Sequence, residues 1–238
     1  MKRRSFISVV CAMLCAVIAF AVVGCGNSDA DNDYANFVKM QARYETEKEL
    51  VKLLREYDAA YTSYTDVLTQ APFLPFSNDA SLAFVFEGNT ILTDENIKLV
   101  TLDYDADSGE YSVTIIFDSI GATILADITS NNIGSTMEIV VIENGYTSII
   151  SMPTINSAIT DGIAPITGGS ANDLYFNIAR VTAERSVRKA AVAYNEKCAE
   201  YQSDYSMPVF LPAVLAVEPE YIDVSEYLQK ADASGFTA

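Results

Sequence analysis

Three stretches of the chain hold residue types that do chemistry, and each has a simpler reading beside it. Asp103-Tyr-Asp105-Ala-Asp107-Ser-Gly109-Glu110 sets carboxylates at alternate positions, as a calcium loop does. A helix-loop-helix calcium loop also needs Gly at its sixth position and Glu at its twelfth. Counted from Asp103, Gly109 is seventh and the twelfth residue is Thr114. The stretch lies between two strand-like runs, so it reads as a hairpin turn with Gly in the left-handed position. Gly168-Gly169-Ser170 precedes a helix and resembles a phosphate cradle, but no Lys stands at the P-loop position. Cys198 sits at helical spacing among apolar residues, where a lone Cys behaves as a small hydrophobe. The chain has no His. That excludes a His-based triad, a His metal site and a His pH switch. Among so many Asp and Glu, no pair stands out for glycoside or proton chemistry. The chain is therefore read as non-enzymatic, with no cofactor and no metal.

Cys25 has a different chemistry. Met1-Lys2-Arg3-Arg4 is a short basic start, and Phe6 to Val23 is apolar except for Ser8. Small residues follow, which together describe an export signal over 1–24. The ending Val22-Val23-Gly24-Cys25 resembles the lipobox of bacterial lipoproteins. That resemblance makes Cys25 the acylated first residue of the mature protein, with the membrane as a partner through this lipid. The alternative is an uncleaved transmembrane anchor, since the apolar run is near the roughly 18-residue threshold. Both readings place the body outside the cytoplasmic membrane, on its extracytoplasmic face. Cys11 and Cys15 lie in the signal, so Cys198 is left alone and no intrachain disulfide framework forms.

The charge balance is acidic: 15 Lys+Arg stand against 32 Asp+Glu, a formal net charge of −17. Loss of Lys2, Arg3 and Arg4 with the signal makes the body more acidic still. Nucleic acid, which requires basic patches, is excluded as a partner. Electrostatic adhesion to anionic lipid is disfavoured too, so the acyl group must hold the protein at the membrane.

The elements that position these residues follow in order. Residues 25–33 are small, polar and acidic and read as a tether. A helix over 34–71 carries Leu50, Leu54, Tyr57, Tyr61, Tyr64, Leu68 and Ala71 at four-three spacing, and Pro72 and Pro75 close it. A second helix over 170–205 carries Val187, Ala191, Tyr194, Cys198, Tyr201 and Tyr205 at the same spacing. The simplest arrangement pairs the two antiparallel, with the tyrosines as packing rather than as a ligand-stacking stripe. Between them, 82–169 alternates as strands: Leu82–Glu87, Ile97–Tyr104, Tyr111–Phe117, Met137–Glu143, Tyr146–Ser151 and Ile163–Thr167, with one helix over Ser119–Thr129. The turn and cap positions are Gly121, Asn132, Gly134, Asn144, Gly145, Pro153, Gly162 and Gly168. Asn144-Gly145 is a hairpin signal, Asn132 and Gly134 stop the helix, and Pro153 ends ladder pairing. The expected fold class is α+β, a mixed or antiparallel sheet with a packed helix, flanked by the two long helices. The tail, 206–238, holds Pro208, Pro212 and Pro219, an apolar run from Met207 to Leu215, and a short helical piece, Val224–Lys230. The apolar run either docks on the body or forms a contact patch.

The middle of the chain resembles the head of the first periplasmic domain of SecD, a subunit of the protein-export translocase. The residues that carry the resemblance are Gly121, Thr129, Asn132, Gly134, Ile139, Val140, Pro153, Ser157, Ala158, Ile159, Gly162, Ile166, Thr167 and Gly168, with Thr90-Ile-Leu-Thr-Asp-Glu-Asn-Ile97 upstream. It covers about Leu82 to Val181. The loop after Gly168 is shorter than the family's, and the family's several transmembrane helices have no counterpart beyond the N-terminal apolar segment. The resemblance implies a polypeptide-binding module that assists exported, unfolded chains or translocase subunits, without proton-driven work. An envelope-assembly module acting through the helices is the alternative, and a solute-binding lipoprotein the third.

Overall fold

The computed structural model describes residues 28–71, 77, 79–168, 170–205 and 224–233. The signal segment, Cys25, the tail over 206–223 and Gly169 lie outside the described residues.

The first helix, α1 (Ser28–Gln70), starts earlier than the composition of 28–33 suggests. Residues 28–33, read as part of a tether, lie within this helix. After α1 come β1 (Ser81–Phe86), β2 (Asn89–Thr93), a 3-10 turn (Asp94–Asn96), β3 (Ile97–Asp105) and β4 (Glu110–Phe117). Helix α2 (Ser119–Asn131) follows, then β5 (Glu138–Glu143), β6 (Tyr146–Ser151) and β7 (Ile163–Thr167). The chain returns through α3 (Ala171–Tyr205) to the short α4 (Ser225–Ala233).

The strands form two sheets, not one. The first has the order β2-β1-β5-β6 and the second β3-β4-β7, all paired antiparallel. β2 is absent from the sequence reading. Glu87 and Gly88 both take positive φ, the geometry of a two-residue hairpin turn, and this folds Asn89–Thr93 back onto β1. The 3-10 turn then re-aims the chain into the second sheet. Its Thr93 side chain accepts from Glu95 N–H, and Asn96 accepts from Thr93 N–H, a reciprocal cap.

The head core lies between the sheets, α2 and the first turns of α3. Leu82, Phe84 and Phe86 of β1 meet Val113, Ile115 and Phe117 of β4, with Ile139 and Val141 of β5 and Leu174, Ile178 and Val181 of α3. Phe84 and Phe117 pack edge to face with ring centroids 5.2 Å apart. A second core joins the helices: Leu50, Leu54, Tyr57 and Tyr64 of α1, Val187, Ala191, Tyr194, Cys198 and Tyr201 of α3, and Leu228 and Ala231 of α4. The two four-three stripes thus face each other. Their direction is fixed by polar pairs at the rim, where Arg43 Nε donates to Tyr201 Oη at 3.1 Å and Lys197 lies 2.9 Å from Glu49. Low numbers on α1 meet high numbers on α3, so the pair is antiparallel. α4 is tied to α1 by the Arg55–Asp232 ion pair.

Helix α2 is held at its start by Asp118, whose carboxylate accepts from Gly121 N–H at 2.7 Å. Asp118→Ala is expected to cost about 1 kcal/mol, a lowering of Tm by about 2–4 °C in a thermal melt followed by circular dichroism.

Candidate functional site

Two features of the head stand out among the described residues: a sheet edge that no strand pairs and a buried polar joint to the helices.

The edge is β6. It hydrogen-bonds β5 on one side, and no strand among the described residues pairs with the other. Its turn is Asn144-Gly145, with φ of 52° and 75°, the two positive values such a hairpin requires. Asn144 N–H donates to Asp79 Oδ2 at 2.9 Å, pinning the turn to the segment that enters β1. Between Asn144 and Met152 the sequence NGYTSIISM carries no charge. Tyr146, Ile149 and Met152 are 77 %, 55 % and 54 % exposed. The other edges are better guarded. β7 carries Pro165, and Pro offers no ladder N–H. β3 carries Lys98, Asp103 and Asp105, and charges blunt an edge. β2, like β7, has five residues against six for β6.

The remaining turn residues shape the approach to this edge. Pro153 interrupts the ladder without ending it. Its carbonyl accepts from Met137 N–H at 3.0 Å, Thr136 bridges Thr154, and Ile155 N–H donates to Ser135 O at 2.8 Å. Asn132 closes α2 with φ of −133°, and its side-chain amide donates to Ile128 O at 2.8 Å. The left-handed residue of that turn is Gly134, φ 92°. Gly121 packs where a Cβ would lie 3.0 Å from that of Phe117. Gly162, φ 72°, lies against Ala122 of α2, and its carbonyl accepts from Phe117 N–H at 2.9 Å. Gly168, φ 140°, accepts from Ala171 N–H at the start of α3. Thr129 is buried, donates to Leu125 O at 2.7 Å and accepts from Ile159 N–H at 2.8 Å, which ties the segment after β6 to α2.

The Asp103–Glu110 stretch is the β3–β4 turn. Asp105 Oδ1 accepts from Asp107 N–H at 2.8 Å, Gly109 has φ of 72°, and Tyr104 and Tyr111 pack across the strands at 4.9 Å. The N–H donors of residues 107 and 108 hold the Asp105 carboxyl below its usual range. Local turn formation accounts for these acids.

The buried joint is absent from the sequence reading. Arg180 and Glu184 of α3 are 3 % and 0 % exposed. Arg180 donates through both terminal nitrogens to the carboxylate of Glu143 on β5, at 3.1 Å each, and lies 3.4 Å from Glu184. Arg188 donates to the carbonyls of Ser77 and Ala80 at 2.9 and 2.8 Å. Arg185 reaches Asp94 at 3.2 Å, and the other oxygen of Asp94 accepts from Leu82 N–H at 3.0 Å. One face of α3 thus grips the segment entering β1, the 3-10 turn and β5. Hydrogen bonding to Arg180 holds the Glu143 carboxyl down. Burial pushes Glu184 the other way, up to about 7. A charged pair in the phase of the apolar stripe was the available signal: stepping back from Val187 by three and then four residues lands on Glu184 and Arg180.

The described chain is therefore an α+β head of two antiparallel sheets, carried on an antiparallel helix pair. Residues 69–180 match the family model described as "SecDF, P1 head subdomain". This segment is SecD-head-like; it spans a little under half of the chain. Two solved structures are similar. One, titled "Structure and function of a membrane component SecDF that enhances protein export", is 24 % identical with a TM-score of 0.32, covering 52 % of this chain and 55 % of that one. The other, "Crystal structure of SecDF in Super-membrane-facing form", is 26 % identical with a TM-score of 0.33, covering 52 % of this chain and 16 % of that one. The chain thus spans only part of either structure. No curated protein matches it. Among the described residues, no helix is long and apolar enough to cross a membrane.

Proposed function

We propose that this chain is a non-catalytic, extracytoplasmic module that handles exported polypeptides, held at the membrane by lipid on Cys25. The observation that carries the proposal is the uncharged β6 edge, unpaired by any described strand, within the segment that matches the SecDF head. An extended, unfolded chain would add as a further strand. Its main chain would hydrogen-bond the free side of β6, while Tyr146, Ile149 and Met152 contact its side chains. Such binding is indifferent to most of the partner's sequence, as a handler of many exported chains requires. Strand addition involves no bond making, in keeping with a chain that lacks His. The basic start, apolar run and Cys25 support export and acylation.

A fluorescently labelled, permanently unfolded polypeptide titrated into the body of the protein tests this. Ile149→Lys is expected to weaken binding tenfold or more, because a charge on an edge strand opposes strand addition. The position is exposed, so stability should change by about 0.5 kcal/mol or less. Undiminished binding by Ile149→Lys and by Tyr146→Lys would count against the edge. Acyl labelling in cells should disappear in Cys25→Ala.

One observation favours an assembly role instead. Tyr34, Val38 and Met40 of α1 are exposed, and the contacts of Arg43 and Glu47 with Tyr201 place the first turns of α1 past the end of α3. Sedimentation showing a concentration-dependent dimer that Met40→Glu abolishes would support that second reading.

A further inference from the structure

The joint between the head and the helices holds a buried carboxylate, Glu184, that its neighbouring cations meet on one side only. Glu184 of α3 is fully buried; its Oε1 accepts from Ser77 N–H at 3.2 Å and faces Arg180 at 3.4 Å. Its Oε2 accepts no hydrogen bond from any described residue. Arg180 lies closer to Glu143, which takes both of its terminal nitrogens. Arg188 donates to two backbone carbonyls. Tyr64 faces the cluster from α1, and burial, then the Glu184 charge, push its phenol up. Asp79 adds a third carboxylate beside Glu143, bound to Ser77 Oγ and Asn144 N–H. Two guanidiniums thus meet two carboxylates inside the joint, with the exposed Asp79 at its rim, but Arg188 is committed to carbonyls and Arg180 mainly to Glu143. An ionised carboxylate in a dry site with one bare oxygen is costly. A proton on that oxygen removes most of the cost.

We infer that Glu184 is a proton-operated latch: protonated, it closes the joint that ties α3 to Ser77 and β5, and ionised, it loosens that joint. The latch crosses three chain segments at once. Ser77 lies between α1 and β1, Glu143 ends β5, and Arg180 and Glu184 are one helical turn apart. Its state would set how stiffly the head is carried on the helices.

The sign follows from the raised affinity for a proton. Burial raises Glu184 to about 7 in the folded joint, from 4.5. Between those values the closed joint binds more protons than the open one, so stability is fully present below about 4.5 and is lost as pH rises to about 7. The opening equilibrium should rise roughly fortyfold between pH 5 and pH 7, then about twofold further by pH 8. Hydrogen exchange of the Ser77 amide, which donates to Glu184, corrected for the intrinsic pH dependence, reads this directly. Glu184→Gln keeps the shape and removes the titration, so its protection should be flat from pH 5 to pH 8. Hydrogen exchange that is flat in the natural protein, or equally steep in Glu184→Gln, overturns the inference. Carbon-13 titration of the Glu184 carboxyl in the natural protein decides independently of any variant: a midpoint near 7 is expected, and one below 5 contradicts the latch.

Discussion

Arg180→Ala is expected to lower the free energy of unfolding by about 3–5 kcal/mol, the usual cost of removing one partner from a buried ion pair. The reason is local. Arg180 donates to both oxygens of Glu143 and faces the buried Glu184. Its removal leaves two carboxylates and a cavity at the seam of head and helices. Glu143 is partly exposed and can recover water, whereas Glu184 cannot. The loss should therefore be larger at pH 8 than at pH 5.5, where Glu184 escapes by taking a proton. Urea unfolding followed by circular dichroism at the two pH values measures both quantities; the chain has no Trp for intrinsic fluorescence. Adding Glu184→Gln to Arg180→Ala should return part of the loss at pH 8. Equal losses at both pH values, with no return in the double variant, would mean that the two residues are not coupled.

Gly162→Ala carries the next largest effect, about 2–4 kcal/mol from two sources. The residue sits at φ of 72°, where an L side chain is strained by about 1 kcal/mol or more. An added Cβ would also stand 2.6 Å from the Cβ of Ala122 and 3.3 Å from its Cα. Overpacking of this kind costs about 1–3 kcal/mol. Helix α2 cannot retreat freely, because Asp118 caps it and Thr129 fastens its other end. A second variant, Gly162→Ala with Ala122→Gly, separates the two sources. Relief of the clash should restore part of the stability, less the helix cost of the new Gly, and the backbone strain should persist. Substitution at Gly145 is the comparison, since its added Cβ meets open space and only the positive φ is penalised.

How far the sequence carried this fold differs from element to element. The two helical stripes were legible because their spacing is regular and their faces are apolar; Tyr57 and Tyr194 are buried where the spacing puts them. The β5–β6 hairpin was legible from Asn144-Gly145 alone. β2 was missed because Asn89–Thr93 is short and its turn, Glu87-Gly88, puts a positive φ on a residue type that gives little warning of it. The division into two sheets depends on the 3-10 turn at Asp94–Asn96, a tertiary feature that no periodicity announces. The joint was hidden for another reason. Arg180 and Glu184 at i,i+4 read as a solvated pair on a helix surface, and only their phase within the apolar stripe marks them as buried. The edge itself could be anticipated as a strand, but its freedom depends on strand order, which becomes visible once β1 is known to pair β5.

The most direct test of the account is site-specific photocrosslinking in cells. A photoreactive residue is placed in turn at Tyr146, Ile149 and Met152 of the β6 edge, and at Tyr34, Val38 and Met40 of α1. Tyr57 and Tyr64 are unsuitable positions because both are buried. Strand addition at β6 predicts crosslinks from the β6 positions to many exported chains during ongoing secretion, fading when synthesis stops. Crosslinks confined to the α1 positions, to one partner or to a second copy of this chain, would contradict it.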